Sequence, residues 1–212
     1  MHISWYGQSC FKILGKDVVL ITDPPNKKIG INSPRTRADI VTISHNHISH
    51  NNTEQIKDKP KIIDTPGEFN VKGVNIYGIP TFHDKNEGQK LGPNNVFVIE
   101  IEKIKLCHLG DLGHKLSDSQ LNMIDGIDIL MVPVGETNLI SMKEVIETIN
   151  AIEPKIIIPM HYKIIGLKNK LSSLNKFCEE MSLKSKKAVP KLSIKYKDLP
   201  KTESEVVILS KQ

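Results

Sequence analysis

Apolar residues fall in short runs along the chain, many of them β-branched, and most runs are closed by Gly, Pro, Asn or Asp. Such runs read as strands. The pattern predicts strands over His2–Tyr6, Cys10–Leu14, Val18–Thr22, Ile40–Ser44, Lys61–Ile63 and Val74–Gly78. It predicts more over Val96–Ile101, Ile104–Leu109, Ile127–Val134, Lys155–Pro159, Leu192–Tyr196 and Val206–Leu209, with Glu102-Lys103 as a hairpin turn. Helical spacing appears over Ser141–Ile152, where Met142, Val145, Ile146, Ile149 and Ile152 share a face. Ser141 and Glu144 there have the spacing of a capping box. Ser117–Ile124 and Leu171–Met181 read as further helices, and Thr53–Lys57 as a short one. Strands come first and then alternate with helices, which predicts an α/β (α+β) arrangement of sheets flanked by helices. The polar stretches Pro24–Ala38 and Asp84–Asn94 read as long loops, the kind that often carry function.

Composition narrows the class. A chain of 212 residues with 39% hydrophobic and 25% charged residues suits one globular domain spanning 1–212. No apolar run reaches the roughly 18 to 20 residues that a membrane helix needs. Met1-His2-Ile3-Ser4-Trp5 shows no basic region followed by an apolar core, so the expected compartment is the cytoplasm. Cys10, Cys107 and Cys178 form no CxxC pair and read as free thiols. The net charge of +5 reads first as a lysine-rich surface. Aromatic residues do not interleave with the basic runs, so a nucleic-acid platform is not expected. Lys27, Lys28, Arg35, Arg37, Lys85 and Lys90 sit in the two long loops, which makes an anionic small molecule the expected substrate.

The eight histidines carry the chemistry. His45, His47 and His50 form HxHxxH directly after the apolar run Ile40–Ser44. In an extended segment residues i and i+2 point the same way, so His45 and His47 are expected to grip one ion, with His50 reaching a neighbouring position. His83, Asp111 and His161 also follow predicted strands. Imidazole and carboxylate together suit zinc, manganese or iron. His108 and His114 flank Asp111 as candidates for orienting ligands. The chain carries no GxSxG elbow, P-loop or GxGxxG.

The order HxHxxH, His, Gly-Asp, His resembles the metallo-β-lactamase fold superfamily. Trp5-Tyr6-Gly7-Gln8-Ser9-Cys10-Phe11 is similar to the opening of the branch that includes the ascorbate-6-phosphate lactonase, and Thr22-Asp23-Pro24 to the superfamily's first motif, whose Asp braces the metal loop. Thr81-Phe82-His83-Asp84, the stretch from Cys107 to His114, Val132-Pro133-Val134-Gly135 and Ile158-Pro159-Met160-His161-Tyr162 extend the likeness over nearly the whole chain. The resemblance implies a four-layer αβ/βα sandwich with the site at one edge. It implies a first metal on His45, His47 and His83, a bridging Asp111, and a second metal on His50 and His161. One or two zinc ions are implied, with manganese or iron(II) as alternatives.

Two residues depart from the family pattern. Ser49 stands where HxHxDH carries its Asp, and Glu136 stands where a further Gly is common. The implied activity is hydrolysis of an ester, lactone, amide or phosphodiester by a metal-activated water, with Asp111 and His161 as catalytic residues. The loss of the Asp at Ser49 opens the alternative of a weakened, non-catalytic metal-binding descendant. A nuclease is the remaining reading, without an appended arm to hold a polymer.

Overall fold

The structure is a computed structural model and describes residues 1–135, 140–183, 185 and 187–212. Glu136 lies outside the described residues. Two mixed sheets dominate. The first has the strand order β12-β1-β2-β3-β4-β5, from β1 (His2–Gly7), β2 (Cys10–Leu14), β3 (Val19–Thr22), β4 (Ile40–Thr42), β5 (Lys61–Ile63) and β12 (Leu192–Ser193). The second has the order β13-β11-β10-β9-β8-β7-β6. Its members are β6 (Gly67–Val71), β7 (Val74–Phe82), β8 (Pro93–Ile101), β9 (Ile104–His108), β10 (Ile129–Pro133), β11 (Ile156–Met160) and β13 (Glu205–Val206). Helices are few: α1 (Asp118–Met123), α2 (Met142–Ile152) and α3 (Leu174–Glu180). This is the sandwich expected, with thin helical layers.

Burial explains the layering. Strands β10 and β11, Ile-Leu-Met-Val-Pro and Ile-Ile-Ile-Pro-Met, are buried at every position, as parallel strands covered on both faces must be. One apolar cluster joins the sheets, running from Ile3, Trp5, Phe11 and Leu20 to Ile76, Phe97, Leu106 and Ile158. Helix α2 buries Met142, Val145, Ile149 and Ile152, and Ser141 and Glu144 close the capping box that its sequence predicts.

Direction places the site. Strands β3 and β4 run parallel, as do β9, β10 and β11. Strand β7 pairs antiparallel with β8, and β8 antiparallel with β9, so β7 runs with β9. The segments that follow β3 and β4 are tied to the other sheet where Asn95 N donates to Ser44 O at 2.7 Å. The C-terminal ends of β4, β7, β9 and β11 therefore deliver His45, His83, Asp111 and His161 to one region.

Several sequence expectations need correction. Thr53–Lys57 is not a helix but a turn, with Lys57 in an isolated bridge to Arg37. The segment is short, and its one buried apolar side chain, Ile56, packs in the smaller cluster with Val41 and Ile43. The strand expected over Leu192–Tyr196 stops at Ser193 and gives way to a 3-10 turn over Tyr196–Asp198. The final strand is Glu205–Val206 rather than Val206–Leu209. Gly67–Val71 is a strand the pattern did not predict. It is an edge strand with exposed Glu68 and Asn70, and its signal is one half-buried Phe69.

Candidate metal centre

The histidine motif does not sit on an extended strand. Strand β4 ends at Thr42, and residues 44–50 form bends and turns. His47 N donates to His45 O at 3.0 Å and His50 N to His47 O at 2.9 Å, so the turn itself gathers the three rings. His45 and His47 are therefore brought together by a turn and not by the alternation of an extended strand. The two rings still lie stacked, with centroids 5.9 Å apart.

Behind the turn lies Asp23, at φ 40°, a left-handed conformation that costs energy for a non-glycine residue. Its Oδ1 accepts Ser44 N at 2.7 Å, and its Oδ2 accepts Ser44 Oγ at 2.7 Å and lies 2.9 Å from His50 Nδ1. Ser44 Oγ lies 3.0 Å from His45 Nδ1. The Nδ1 atoms of His45 and His50 are thus engaged from behind, which leaves both Nε2 atoms for the pocket side.

Asp111 is the hub. Its Oδ2 lies 3.1 Å from His50 Nε2, 3.2 Å from His161 Nε2 and 3.5 Å from His83 Nε2. Asp111 is held by Asn94 Oδ1, which accepts its backbone N–H at 2.9 Å, and by Ser9 Oγ, which donates to Oδ1 at 3.3 Å. Burial works against its charge, but the imidazoles of His161 and His50 hold its carboxyl well below the usual range. Burial likewise opposes charge on His50, yet Asp111 and Asp23 on its two sides raise it to about 10. Burial, then the charge of His50, pushes His45 down to about 3.

Three groups of side chains present ligand atoms within 4.8 Å of one another: His45, His47 and His50; His45, His83 and Asp111; His50, Asp111 and His161. The residues implied for a first metal are spread over two of these groups, which meet at His45. The residues implied for the second form one fully buried group. Buried His45 Nε2 has no hydrogen-bond partner. A buried polar atom left that way costs roughly 1–3 kcal/mol. A cation at the cluster accounts for that atom and for the convergence of imidazole and carboxylate ligand atoms, so the donor set fits a divalent metal.

His45, His47, His83, Asp111 and His161 line a cavity of about 360 Å³ with Asn46, Ser49, Leu91, Asn169, Lys170 and Leu171, and His50 lies buried behind it. A larger groove of about 570 Å³ lies at the other end of β11, lined in part by Lys155, Lys201 and Glu203, and holds none of the histidines. Ser49 is buried, and its Oγ lies 2.5 Å from His47 Nδ1. Four of the basic loop residues are engaged elsewhere. Lys27 and Arg35 line a separate small pocket, Arg37 pairs with Asp58, and Lys85 with Glu144. His108 is buried with Nε2 2.8 Å from Ser9 O, while His114 Nε2 accepts Phe82 N at 3.1 Å. Tyr162 packs on Trp5, with ring centroids 4.8 Å apart. Ser9 and Asn94 do not stand out in the sequence as partners of Asp111; their burial beside it is the signal that marks them.

A two-sheet sandwich with histidines and an aspartate converging at the strand ends defines the metallo-β-lactamase type of protein. Residues 2–161 match the family model described as a beta-lactamase superfamily domain, and the chain belongs to that family. It is similar to a crystal structure from Thermotoga maritima described as a Zn-dependent hydrolase of the metallo-beta-lactamase superfamily. The two share 38% identity and a TM-score of 0.82 over 100% of this chain and 99% of that one. A UPF0173 metal-dependent hydrolase of Thermoplasma acidophilum is 27% identical over 194 residues, 79% of this chain and 85% of the relative. A UPF0173 protein of Pyrococcus abyssi is 28% identical over 185 residues, covering 78% and 85%. No helix among the described residues is long and apolar enough to cross a membrane.

Proposed function

We propose that the protein is a metal-dependent hydrolase of a small molecule, acting as one domain over its length. The observation that carries this reading is Asp111 Oδ2, which lies within 3.5 Å of Nε2 of His50, His161 and His83 in a cavity open to solvent. His45, His47, His83 and Asp111 would hold one ion, and Asp111, His50 and His161 a second, zinc being the metal the imidazole-rich set favours. A bound divalent ion lowers the pKa of water from about 15.7 toward about 7 and polarises a carbonyl or phosphoryl oxygen.

The chain's own residues do the rest. Asp111 stays anionic and accepts a hydrogen bond from the attacking water at a carboxylate oxygen. His161, held in a left-handed conformation at φ 54° directly after β11, fixes that carboxylate from one side and His50 from the other. Asp23 and Ser44 orient His50 and His45. The Lys170 side chain at the cavity wall supplies positive charge for an anionic substrate. The scissile bond is an ester, lactone, amide or phosphodiester.

One observation favours a second reading. Ser49 offers a neutral hydroxyl, engaged with His47, where a carboxylate would serve the second ion. That fits a descendant with one metal and little turnover. The deciding experiment is elemental analysis of protein purified without added metal, followed by assay on lactones, esters and phosphodiesters before and after chelation. Chelator-sensitive turnover supports the enzyme; one inert metal and no turnover supports the descendant.

A further inference from the structure

The loop after His83 is built around one carboxylate. Asp84 is 8% exposed. Its Oδ1 accepts the backbone N–H of Asn86 at 2.7 Å and of Gly88 at 3.2 Å. Its Oδ2 accepts those of Lys90 at 3.0 Å and Leu91 at 2.7 Å. The ends of the loop are tied as well: His83 N donates to Gly92 O at 3.1 Å, and Gly92 N to Gly88 O at 2.9 Å. Charge-assisted hydrogen bonds are the strong kind, and four converge here on one side chain.

The residue this scaffold delivers is Leu91. Its backbone N–H makes one of the two shortest bonds to Asp84, and its side chain is 42% exposed at the wall of the histidine cavity. Leu171, from the segment after His161, lines the same cavity. A solitary exposed leucine needs no explanation. A leucine fixed through its own amide beside convergent ligand groups, with a second leucine on the same cavity, forms an apolar subsite. Asn46, Asn169 and Lys170 give the remaining wall a polar character.

We propose that Asp84 is a positioning residue that holds Leu91 at the cavity wall, and that Leu91 with Leu171 binds an apolar chain attached to the hydrolysed bond. The proposal rests on the hydrolase reading and adds its substrate class: amphiphilic molecules with an alkyl or aryl arm next to the scissile group.

The test is calorimetric titration of the zinc-loaded protein with n-alkylphosphonates from methyl to hexyl, which present a metal-seeking head and are not turned over. In the wild type, affinity should rise by up to about fourfold for each methylene that is fully buried. Leu91→Ser keeps the backbone N–H that Asp84 accepts; it should flatten the chain-length gain and leave methylphosphonate affinity unchanged. Asp84→Ala should flatten it too, and Asp84→Asn should restore part of it, since one carbonyl oxygen still accepts. If Asp84→Ala fails to fold or to hold zinc, Leu91→Ser and Asp84→Asn decide. A wild type that binds methylphosphonate with no gain along the series overturns the apolar subsite and leaves the hydrolase reading standing. A full gain retained in Leu91→Ser or Asp84→Asn overturns the roles given to these two residues. A wild type that takes up no zinc and binds no phosphonate overturns the hydrolase reading, and this proposal with it.

Discussion

Asp23 Oδ2 stands 2.9 Å from His50 Nδ1, and neither side chain is more than 1% exposed. The same carboxylate also takes both donors of Ser44. Removing one partner of a buried charged pair strands the other, at a cost of about 3–5 kcal/mol. Asp23→Ala should therefore lower the stability of the metal-free protein by about that much, read as a shift of the urea midpoint. Orienting partners of this type also tune metal ligands, so metal affinity should fall roughly 10- to 100-fold. An Asp23→Ala protein as stable as wild type, with unchanged affinity, would remove Asp23 from the site.

Two glycines press on the backbone of proposed ligands. A Cβ on Gly113 would lie 2.2 Å from the carbonyl carbon of His83, and one on Gly135 would lie 2.1 Å from His161 O. Gly113→Ala and Gly135→Ala should each move the neighbouring histidine and weaken metal binding, measured by competition with a chelating dye. Gly73, at φ +77° with nothing near its Cβ, is the control. Gly73→Ala should cost about 1 kcal/mol of backbone strain and leave metal binding unchanged.

Helix α2 offers a pH test away from the site. Burial opposes ionisation of Glu144, but Lys85, 2.8 Å away, and the Ser141 hydroxyl and N–H push it down to about 2. Its folded pKa is below its ordinary value, so the stability it contributes is present above about pH 4.5 and lost as pH falls toward 2. Glu144→Gln should reduce the acid sensitivity of unfolding in that window and change little at neutral pH beyond the loss of the Lys85 pair. Equal acid slopes in the two proteins would sink this assignment. Ser141→Ala, which removes the cap and one of the hydrogen bonds that hold Glu144 down, should cost about 1 kcal/mol at neutral pH and less as pH falls toward 2.

Strands with buried β-branched runs were legible because period and composition agree there: β3 and β11 fall within a residue of expectation. Strand β7 continues through Pro80 to Phe82, beyond the expected Gly78, because Pro80 faces Asn95 inside a strand pair that supplies its other hydrogen bonds. Proline reads as a breaker only until the partner strand is known. The cluster of candidate ligands was legible because His45, His83, Asp111 and His161 each follow a strand. How HxHxxH converges was not, since it depends on the turn bonds from His47 N and His50 N and on Asp23, far off in sequence. The steering role expected of Lys27, Arg35, Arg37 and Lys85 gains no support from their positions, because ion pairing and pocket location are tertiary facts.

Ser49 separates the enzyme from the weakened descendant. Its hydroxyl is 2.5 Å from His47 Nδ1, so it is already engaged with a histidine proposed for the first ion. On the proposed assignment the second ion would rely on His50, Asp111 and His161, while the first would draw on His45, His47, His83 and Asp111. Fewer donors and one less negative charge should make occupancy unequal, with one tight ion and one weak ion. Ser49→Asp places a carboxylate at a buried position on the cavity lining beside His47 and should raise second-site affinity, and with it turnover on any substrate the wild type accepts. Ser49→Ala is the companion variant. It removes the bond to His47 without adding a ligand, so it should loosen the first ion and do nothing for the second. Elemental analysis across a zinc titration gives the stoichiometry of all three proteins. Two equally tight ions in the wild type, unchanged in Ser49→Asp, would show that a ligand other than residue 49 completes the second site.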